Sequence, residues 1–429
     1  MPASSALTLY LAASCVAQPL ARALLARRAR RGKEDPARLE ERLGRPSLPR
    51  TEGELVWLHG ASIGEATSAL PLVHALGDVR PGLRVLLTTG TRTAAEQIAP
   101  QLPACAIHQY VPVDTRQAVR GFLDHWRPDL ALWVESELWP RLVVETSARG
   151  VPMAMINARL SAASTQRWQR APRMAAALLS RFDQIIAQDQ ETVERVGQLG
   201  ALAGCVSLGR NLKSAVLPVP PTPSALAEAR DAIGGRPVWL AASTHEGEEA
   251  PLLAAHAALP EDTVLILVPR HPERGDAIAK EIAEAGLTVS RRRLGEVPDA
   301  TTRVWLADTL GEMSLWYRLA DVTFVGGSLV DKGGHTPFEP AALGNAILYG
   351  PSTENFAPAY AALDAAGGAR QIAHATALAT ELGALLGDRE ARAAMAQAAA
   401  KVRAEMTPDL PALANDLLGL MDRRRNARA

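Results

Sequence analysis

Cysteine is scarce: Cys15, Cys105 and Cys205 are the three in a chain of 429 residues. Their wide separation excludes a disulfide framework and zinc-binding spacing, so free thiols in a reducing compartment are expected. Net charge is also lacking. Lys plus Arg and Asp plus Glu balance at 46 each, so no overall field draws the chain to nucleic acid. A clean apolar run of about 20 residues, the length a membrane span needs, is missing too. The best candidate, Ala6 to Ala26, is interrupted by Gln18, Pro19 and Arg22. Its positive charge follows the apolar residues, which is the wrong order for a signal peptide. There is no second His after His245-Glu246 at the zincin spacing, no Asp-x-Asp pair and no Walker A sequence. Metal-bound nucleotide chemistry therefore has no motif here.

What remains is globular, with 48% hydrophobic and 21% charged residues. The length exceeds what one core usually organises, so two domains are expected. Charge is unevenly placed. Arg22, Arg27, Arg28, Arg30, Arg31 and Lys33 crowd the N-terminus, and Arg423, Arg424, Arg425 and Arg428 close the chain. Residues 1–33 read as a membrane-associated segment: a helix lying in the bilayer surface, with its arginines on anionic headgroups. The bland alternative is a helix docked on the body of the protein.

Short apolar, β-branched runs alternate with helical stretches. Strands are expected near Leu55–His59, Arg84–Thr88, Asp129–Val134, Pro152–Ile156, Gln184–Ala187 and Cys205–Leu208, then near Val238–Ala241, Thr263–Val268, Arg303–Leu306, Asp321–Val325 and Ala346–Tyr349. Such alternation predicts parallel sheets covered by helices on both faces. The proline-rich stretch around residues 217–224 predicts a stiff linker. The expected organisation is one α/β domain over 34–216 and a second over 225–429 that ends in a C-terminal helix. Ligands in such folds bind beyond the carboxyl ends of the strands, and a cleft between two such domains is the expected active site.

One local pattern recurs: an apolar strand, then Ser or Thr, two residues, and Glu. It occurs as Ser62-Ile63-Gly64-Glu65, Ser243-Thr244-His245-Glu246, Thr309-Leu310-Gly311-Glu312 and Thr336-Pro337-Phe338-Glu339. Each reads as a capping box, with Pro337 at a first helical position. Each would also set a helix N-terminus, where anions are favoured, at a strand's carboxyl end.

Several segments could carry chemistry. Glu65 on a first helical turn could act as a general base if its surroundings raise its pKa. Glu135 and Glu137, in Glu135-Ser136-Glu137-Leu138-Trp139-Pro140, follow a buried strand; Glu135 could stabilise an oxocarbenium-like sugar, or one of the two could cap the next helix. Arg159, in Asn157-Ala158-Arg159-Leu160-Ser161, suits a carboxylate or phosphate, or is a surface arginine. Lys213 in Gly209-Arg210-Asn211-Leu212-Lys213 is a candidate anion ligand near the linker. Arg270, in Val268-Pro269-Arg270-His271-Pro272-Glu273, could fork onto a phosphate. The Gly-Gly pairs between Phe324 and Pro340 predict a flexible loop whose amides wrap a phosphate, with Glu339 on the ribose hydroxyls.

Taken together and in order, these segments, with Gly44, Gly350-Pro351 and Asn355-Phe356, resemble the 3-deoxy-D-manno-octulosonic acid (Kdo) transferases along the whole chain. The resemblance implies an α/β fold of the GT-B type: two Rossmann-like, doubly wound domains facing across a cleft, plus an N-terminal membrane-associated helix. It implies an inverting glycosyltransferase of lipopolysaccharide biosynthesis, with CMP-Kdo as donor, a lipid A precursor (lipid IVA) as acceptor, and no cofactor or metal. It places the enzyme on the cytoplasmic face of the inner membrane. By motif, Glu65 matches the general base, and Glu135 and Lys213 match residues of transition-state stabilisation. Pro269 and Arg270, then Gly311, Glu312 and Met313, then Thr336, Pro337, Phe338 and Glu339 match the CMP-binding stretches. The chain departs from the family pattern at Thr336, where Asn is usual, at Phe338, where Leu is usual, and at Ser214-Ala215, where Phe-Asp often follows the lysine. Two other readings compete: another GT-B transferase or an epimerase, and a catalytically inactive scaffold on the membrane surface.

Overall fold

The computed structural model describes residues 4–427, so Arg428 of the C-terminal basic cluster lies outside the described residues. Two compact units are present: Met1–Val216 with Thr407–Ala429, and Leu217–Met406.

The first unit is built on seven parallel strands: β1 (Leu55–His59), β2 (Arg84–Thr89), β3 (Ala106–Tyr110), β4 (Leu130–Val134), β5 (Met153–Ala158), β6 (Gln184–Ala187) and β7 (Val206–Leu208), in spatial order β3-β2-β1-β4-β5-β6-β7. Helices cover both faces, so every residue of β1, β4 and β5 is buried; this is why their sequences are continuously rather than alternately apolar. On one face Trp57 packs edge-on against Phe122 and Trp133, with ring centroids 5.0 and 4.9 Å apart. Its indole N–H donates to Thr88 Oγ1 at 2.9 Å.

The second unit repeats the plan with β8 (Val238–Thr244), β9 (Val264–Pro269), β10 (Val289–Arg291), β11 (Val304–Leu306), β12 (Val322–Val325), β13 (Ala346–Tyr349) and β14 (Ala369–Gln371), in order β10-β11-β9-β8-β12-β13-β14 and parallel throughout. Trp239 anchors one face, donating to His256 Nδ1 at 3.1 Å. Trp305 and Trp316 pack edge-on across the other at 4.9 Å.

The C-terminal helix departs from expectation. The sequence assigned it to the second domain, but Leu410–Asn426 belongs to the first unit. Ala414, Leu417, Leu418 and Met421 form one apolar stripe buried against Ala66, Ala69, Val73 and Leu76 of helix Ile63–Val79. Asp422 accepts two hydrogen bonds from Arg80 at 2.7 and 3.0 Å. The chain thus returns to brace the helix that carries Glu65.

The N-terminus forms two helices, Ser5–Val16 and Gln18–Arg30, bent by 69° at Ala17. Among the described residues no single helix is long and apolar enough to cross a membrane. The first helix docks on the body: Asp114 accepts from Tyr10 Oη–H at 2.8 Å and from the amides of Arg141 and Leu142 at 2.9 and 2.8 Å. Leu7 and Leu25 are buried, whereas Leu9, Val16 and Leu20 are more than 70% exposed. The docked helix and the apolar outward face therefore occur together.

Candidate active site

In the first sheet the strand order reverses between β1 and β4, where a parallel sheet opens a crevice beyond its carboxyl ends. Glu65 follows β1 and Glu135 follows β4, so the topology delivers both carboxylates to that point.

Ser62 caps helix Ile63–Val79, accepting from the Glu65 amide at 3.3 Å, and its hydroxyl donates to Glu65 Oε1 at 2.9 Å. Glu65 Oε2 accepts the Ala61 amide at 2.7 Å. The expected capping box forms, displaced by one residue on its return arm. Gly60 is required at the turn, since a Cβ there would sit 2.9 Å from the Ala66 nitrogen. Burial raises the Glu65 pKa, and the Glu135 charge raises it further; the bonds from Ser62 and Ala61 oppose this only in part. A carboxylate with raised basicity, held by its own helix start, is equipped to take a proton.

Glu135 has φ 62°, in the left-handed region, a conformation that costs a non-glycine residue on the order of 1–3 kcal/mol. Its amide still donates to Ile156 O at 3.0 Å, and its carboxylate accepts from Lys213 Nζ at 2.9 Å. The helix-capping alternative for this residue is not realised: helix Pro140–Ala148 has no side-chain cap at Trp139, and Glu137 instead accepts from the Trp139 indole at 2.9 Å. Lys213 sits on a short 3-10 turn, Leu212–Ala215. That turn is fixed by Asn157, also in the left-handed region at φ 50°, whose Oδ1 accepts from the Leu212 amide at 3.0 Å. Asn157 was legible only as part of a motif. Its signal is residue type, since Asn tolerates the left-handed conformation best among non-glycine residues. Arg159 lies just beyond, partly buried at the end of β5.

The second unit's order reverses between β8 and β12. Here the recurring pattern fails as a capping box. Helix Glu249–Ala257 starts after Glu248 without a side-chain cap, so Ser243 and Glu246 cap nothing. Instead Glu248, fully buried, turns inward and accepts from the amides of His245 (2.9 Å), Gly327 (2.7 Å), Ser328 (3.0 Å) and Leu329 (2.9 Å). The glycine loop is therefore neither flexible nor free to wrap a phosphate with these amides: an internal carboxylate already holds them. Further bonds fix the loop, from Gly334 N to Gly327 O at 2.8 Å, from Asn355 Nδ2 to Lys332 O at 2.7 Å and from Tyr360 Oη to His335 O at 2.8 Å. The role of Glu248 was not legible because three of its four partners lie about 80 residues away in sequence.

The other two patterns also depart from capping boxes. Thr309 Oγ1 donates to the Glu312 carboxylate, but helix Met313–Leu319 has no side-chain cap. Glu312 is further held by Arg292 at 2.7 Å, and these bonds outweigh burial in keeping its pKa low. Thr336 Oγ1 accepts from the Phe338 amide at 3.3 Å, and Pro337 is the cap rather than the first helical residue of Phe338–Ala342.

Every residue matched to CMP binding lies at or beyond a carboxyl strand end of this sheet. Pro269 ends β9 and Arg270 follows it exposed; Gly311, Glu312 and Met313 follow β11; Thr336 through Glu339 follow β12. Among the described residues, neither the Arg270 guanidinium nor the Glu339 carboxylate has a hydrogen-bonding or ionic partner, and burial raises the Glu339 pKa. Beside Arg270 the His245 and His335 rings stack at 5.1 Å, with their Nε2 atoms 2.9 Å apart. Burial, then the neighbouring His245 and Arg270, push His335 down to about 4, so it is neutral at physiological pH. Sequence reading singled out neither histidine of this pair. Among the described residues no cluster of three or more metal-ligating side chains occurs.

Residues 37–216 match the family described as 3-deoxy-D-manno-octulosonic-acid transferase (kdotransferase). A 3-deoxy-D-manno-octulosonic acid transferase of Haemophilus influenzae is 34% identical over 380 residues, covering 86% of this chain and 88% of the relative. One of Bordetella pertussis is 38% identical over 365 residues, covering 80% and 82%. A probable mitochondrial one of Arabidopsis thaliana is 35% identical over 352 residues, covering 80% and 79%. Among solved structures, the UDP-GlcNAc 2-epimerase of Neisseria meningitidis superposes with a TM-score of 0.56 at 13% identity, covering 82% of this chain and 99% of that one. A likeness at that identity speaks for the GT-B type of fold alone. The sequence relatives speak for more: this chain belongs to the 3-deoxy-D-manno-octulosonic acid transferase family of glycosyltransferases.

Proposed function

We propose that the chain moves Kdo from CMP-Kdo to a lipid A precursor, lipid IVA, with inversion, on the cytoplasmic face of the inner membrane. The units divide the work: the first holds the acceptor and the base, the second the nucleotide. An acceptor hydroxyl attacks the anomeric carbon of Kdo, Glu65 takes the hydroxyl proton, and CMP departs with the bonding electron pair. Glu135 faces the positive charge that develops on the sugar ring, and Lys213 meets negative charge on donor or leaving group. Arg270 binds phosphate, and Glu339 accepts hydrogen bonds from the ribose hydroxyls.

The observation that carries this reading is the Glu65 carboxylate: raised in pKa by burial and by Glu135, and fixed by Ser62 and Ala61 at the strand-order reversal. The exposed apolar and basic faces of the N-terminal helices support a peripheral bilayer contact. The test is transfer from CMP-Kdo, generated in situ, to tetra-acylated lipid A precursor. Wild type should transfer, and Glu65→Gln should lose about 10²-fold or more while remaining folded. Retained turnover with only a stability loss of about 1 kcal/mol would reduce Glu65 to a helix cap. Protection by UDP as strong as by CMP in thermal melts would favour another nucleotide-sugar enzyme.

A further inference from the structure

A pocket of about 590 Å³, open to solvent on one side, lies in the first unit between the bent N-terminal helices and the carboxyl ends of the sheet, within the roughly 300–1,000 Å³ range of small-molecule sites. Its walls are mainly small and apolar, with Ala13, Ala17, Ala21 and Leu25 from the helices and Val111 and Val113 from the segment after β3; Tyr10, Ser14, Asp114 and Thr115 add polar atoms on one side. Its inner end is formed by His59, Ala61 and Gly90. Ala61 is the residue whose amide holds Glu65 Oε2 at 2.7 Å, so the cavity ends against the backbone that carries the base. His59 is fully buried there; its Nδ1 meets Thr88 Oγ1 at 3.0 Å while Nε2 has no partner. Arg42 lies deep in the wall, donating to Val111 O and close to His59, while the half-exposed Arg28 lies toward the rim; Glu34 sits between them at 2.7 and 3.6 Å. Beyond them Arg27, Arg30, Arg31 and Lys33 are exposed and, among the described residues, make no ion pair. Residues 1–33 hold no Asp or Glu at all.

A mainly apolar chamber with a cationic rim and a catalytic carboxylate behind its inner wall matches an anionic amphiphile, not a soluble sugar. We propose that the cavity is an acyl-chain subsite: it takes one hydrocarbon chain of the acceptor while the rim holds the acceptor's anionic groups, and this sets the acceptor hydroxyl at Glu65. The inference rests on the acceptor being a lipid, as proposed above. The unpartnered His59 Nε2 would accept a hydrogen bond from a hydroxyl or amide near the chain's head.

The test compares two acceptors in detergent, tetra-acylated lipid A precursor and its fully deacylated counterpart, with CMP-Kdo as donor. Ala21→Phe and Ala13→Phe fill the chamber; Ala23→Phe, exposed and outside its lining, is the control. Losing the burial of two methylenes is worth about tenfold. The filling variants should therefore lower the ratio of kcat/KM for acylated over deacylated acceptor about tenfold or more, and Ala23→Phe should leave that ratio alone. A fluorescent long-chain acyl glucosamine should bind wild type and be lost from both filling variants, which decides the matter even if a variant turns over poorly. An unchanged ratio, or equal losses on both acceptors, overturns the subsite. So does a fall in binding to phosphatidylglycerol vesicles with the ratio preserved, since the chain would then come from the bilayer. Failure of wild type to transfer Kdo to either acceptor, with probe binding intact and sensitive to Ala21→Phe, would remove the proposed reaction but keep the cavity's ligand.

Discussion

The two units start from nearly the same text and use it in opposite ways. Val56-Trp57-Leu58 leads to Ser62-x-x-Glu65, and Val238-Trp239-Leu240 leads to Ser243-x-x-Glu246. In the first unit the glutamate stays on its own helix turn, partly exposed, with a raised pKa. In the second the pattern's glutamate caps nothing, and Glu248, two residues on, is buried under four backbone amides. A carboxylate at the strand-order reversal can thus be left available, as the proposed base is, or be used up as a strut. The number of amides that claim it distinguishes the two: one amide leaves Glu65 free to take a proton, and four leave Glu248 no spare capacity.

Four measurements would break or sharpen this contrast. The largest effect should come from Glu248→Ala, which leaves four amides without their acceptor. Denaturant unfolding should show a loss of about 4 kcal/mol; a loss under 1 kcal/mol would mean the glycine loop does not depend on this carboxylate. Next is Glu65→Gln, for which about 10²-fold lower kcat, equivalent to roughly 2.7 kcal/mol, is expected together with near-native stability. Equal stability losses in Glu65→Gln and Glu248→Ala would erase the distinction between proposed base and strut. Third, Asn157→Ala removes the anchor of the turn that carries Lys213 and should lower kcat about tenfold, with KM for CMP-Kdo little changed. A variant that loses only stability would make Asn157 structural.

The smallest effect is one of pH. A base with a raised pKa gains its active, deprotonated form only as pH rises through that value, so kcat should fall on the acid side above the ordinary glutamate range. Removing the neighbouring charge with Glu135→Gln should move that limb to lower pH, because the like charge is one cause of the elevation. The same shift has a stability counterpart. The folded state holds its Glu65 proton to higher pH than the unfolded chain, so the contribution is fully present below the unfolded pKa and is lost as pH rises through the folded one. Glu65→Gln should flatten that slope. An unmoved acid limb in Glu135→Gln would show that burial alone sets the Glu65 pKa.

The strand predictions show where sequence is informative. Interior strands such as β4 and β9 are apolar from end to end, and β1 and β8 are apolar up to their last one or two residues, because helices cover both faces; each was legible. The three unforeseen strands, Ala106–Tyr110, Val289–Arg291 and Ala369–Gln371, all lie at sheet edges. They pair on one side only and carry His108, Gln109, Arg291 and Arg370, which dilutes the apolar signal. The C-terminal helix was legible as a helix but not as to its place, because its apolar stripe says that it packs without saying on what.

The sequence by itself determined the class of fold and the identity of the residues at each strand end, because continuous apolar runs and local hydroxyl–carboxylate spacing are short-range signals; the family followed from the resemblance of its ordered motifs along the whole chain. Only the tertiary structure decided which glutamate is partly exposed and which is buried, that Asn157 fixes the turn carrying Lys213, that the chain's end braces the helix of Glu65, and that the N-terminal helices border a pocket beside it. Those outcomes depend on atoms tens to hundreds of residues apart, brought together by packing, and no local pattern encodes them.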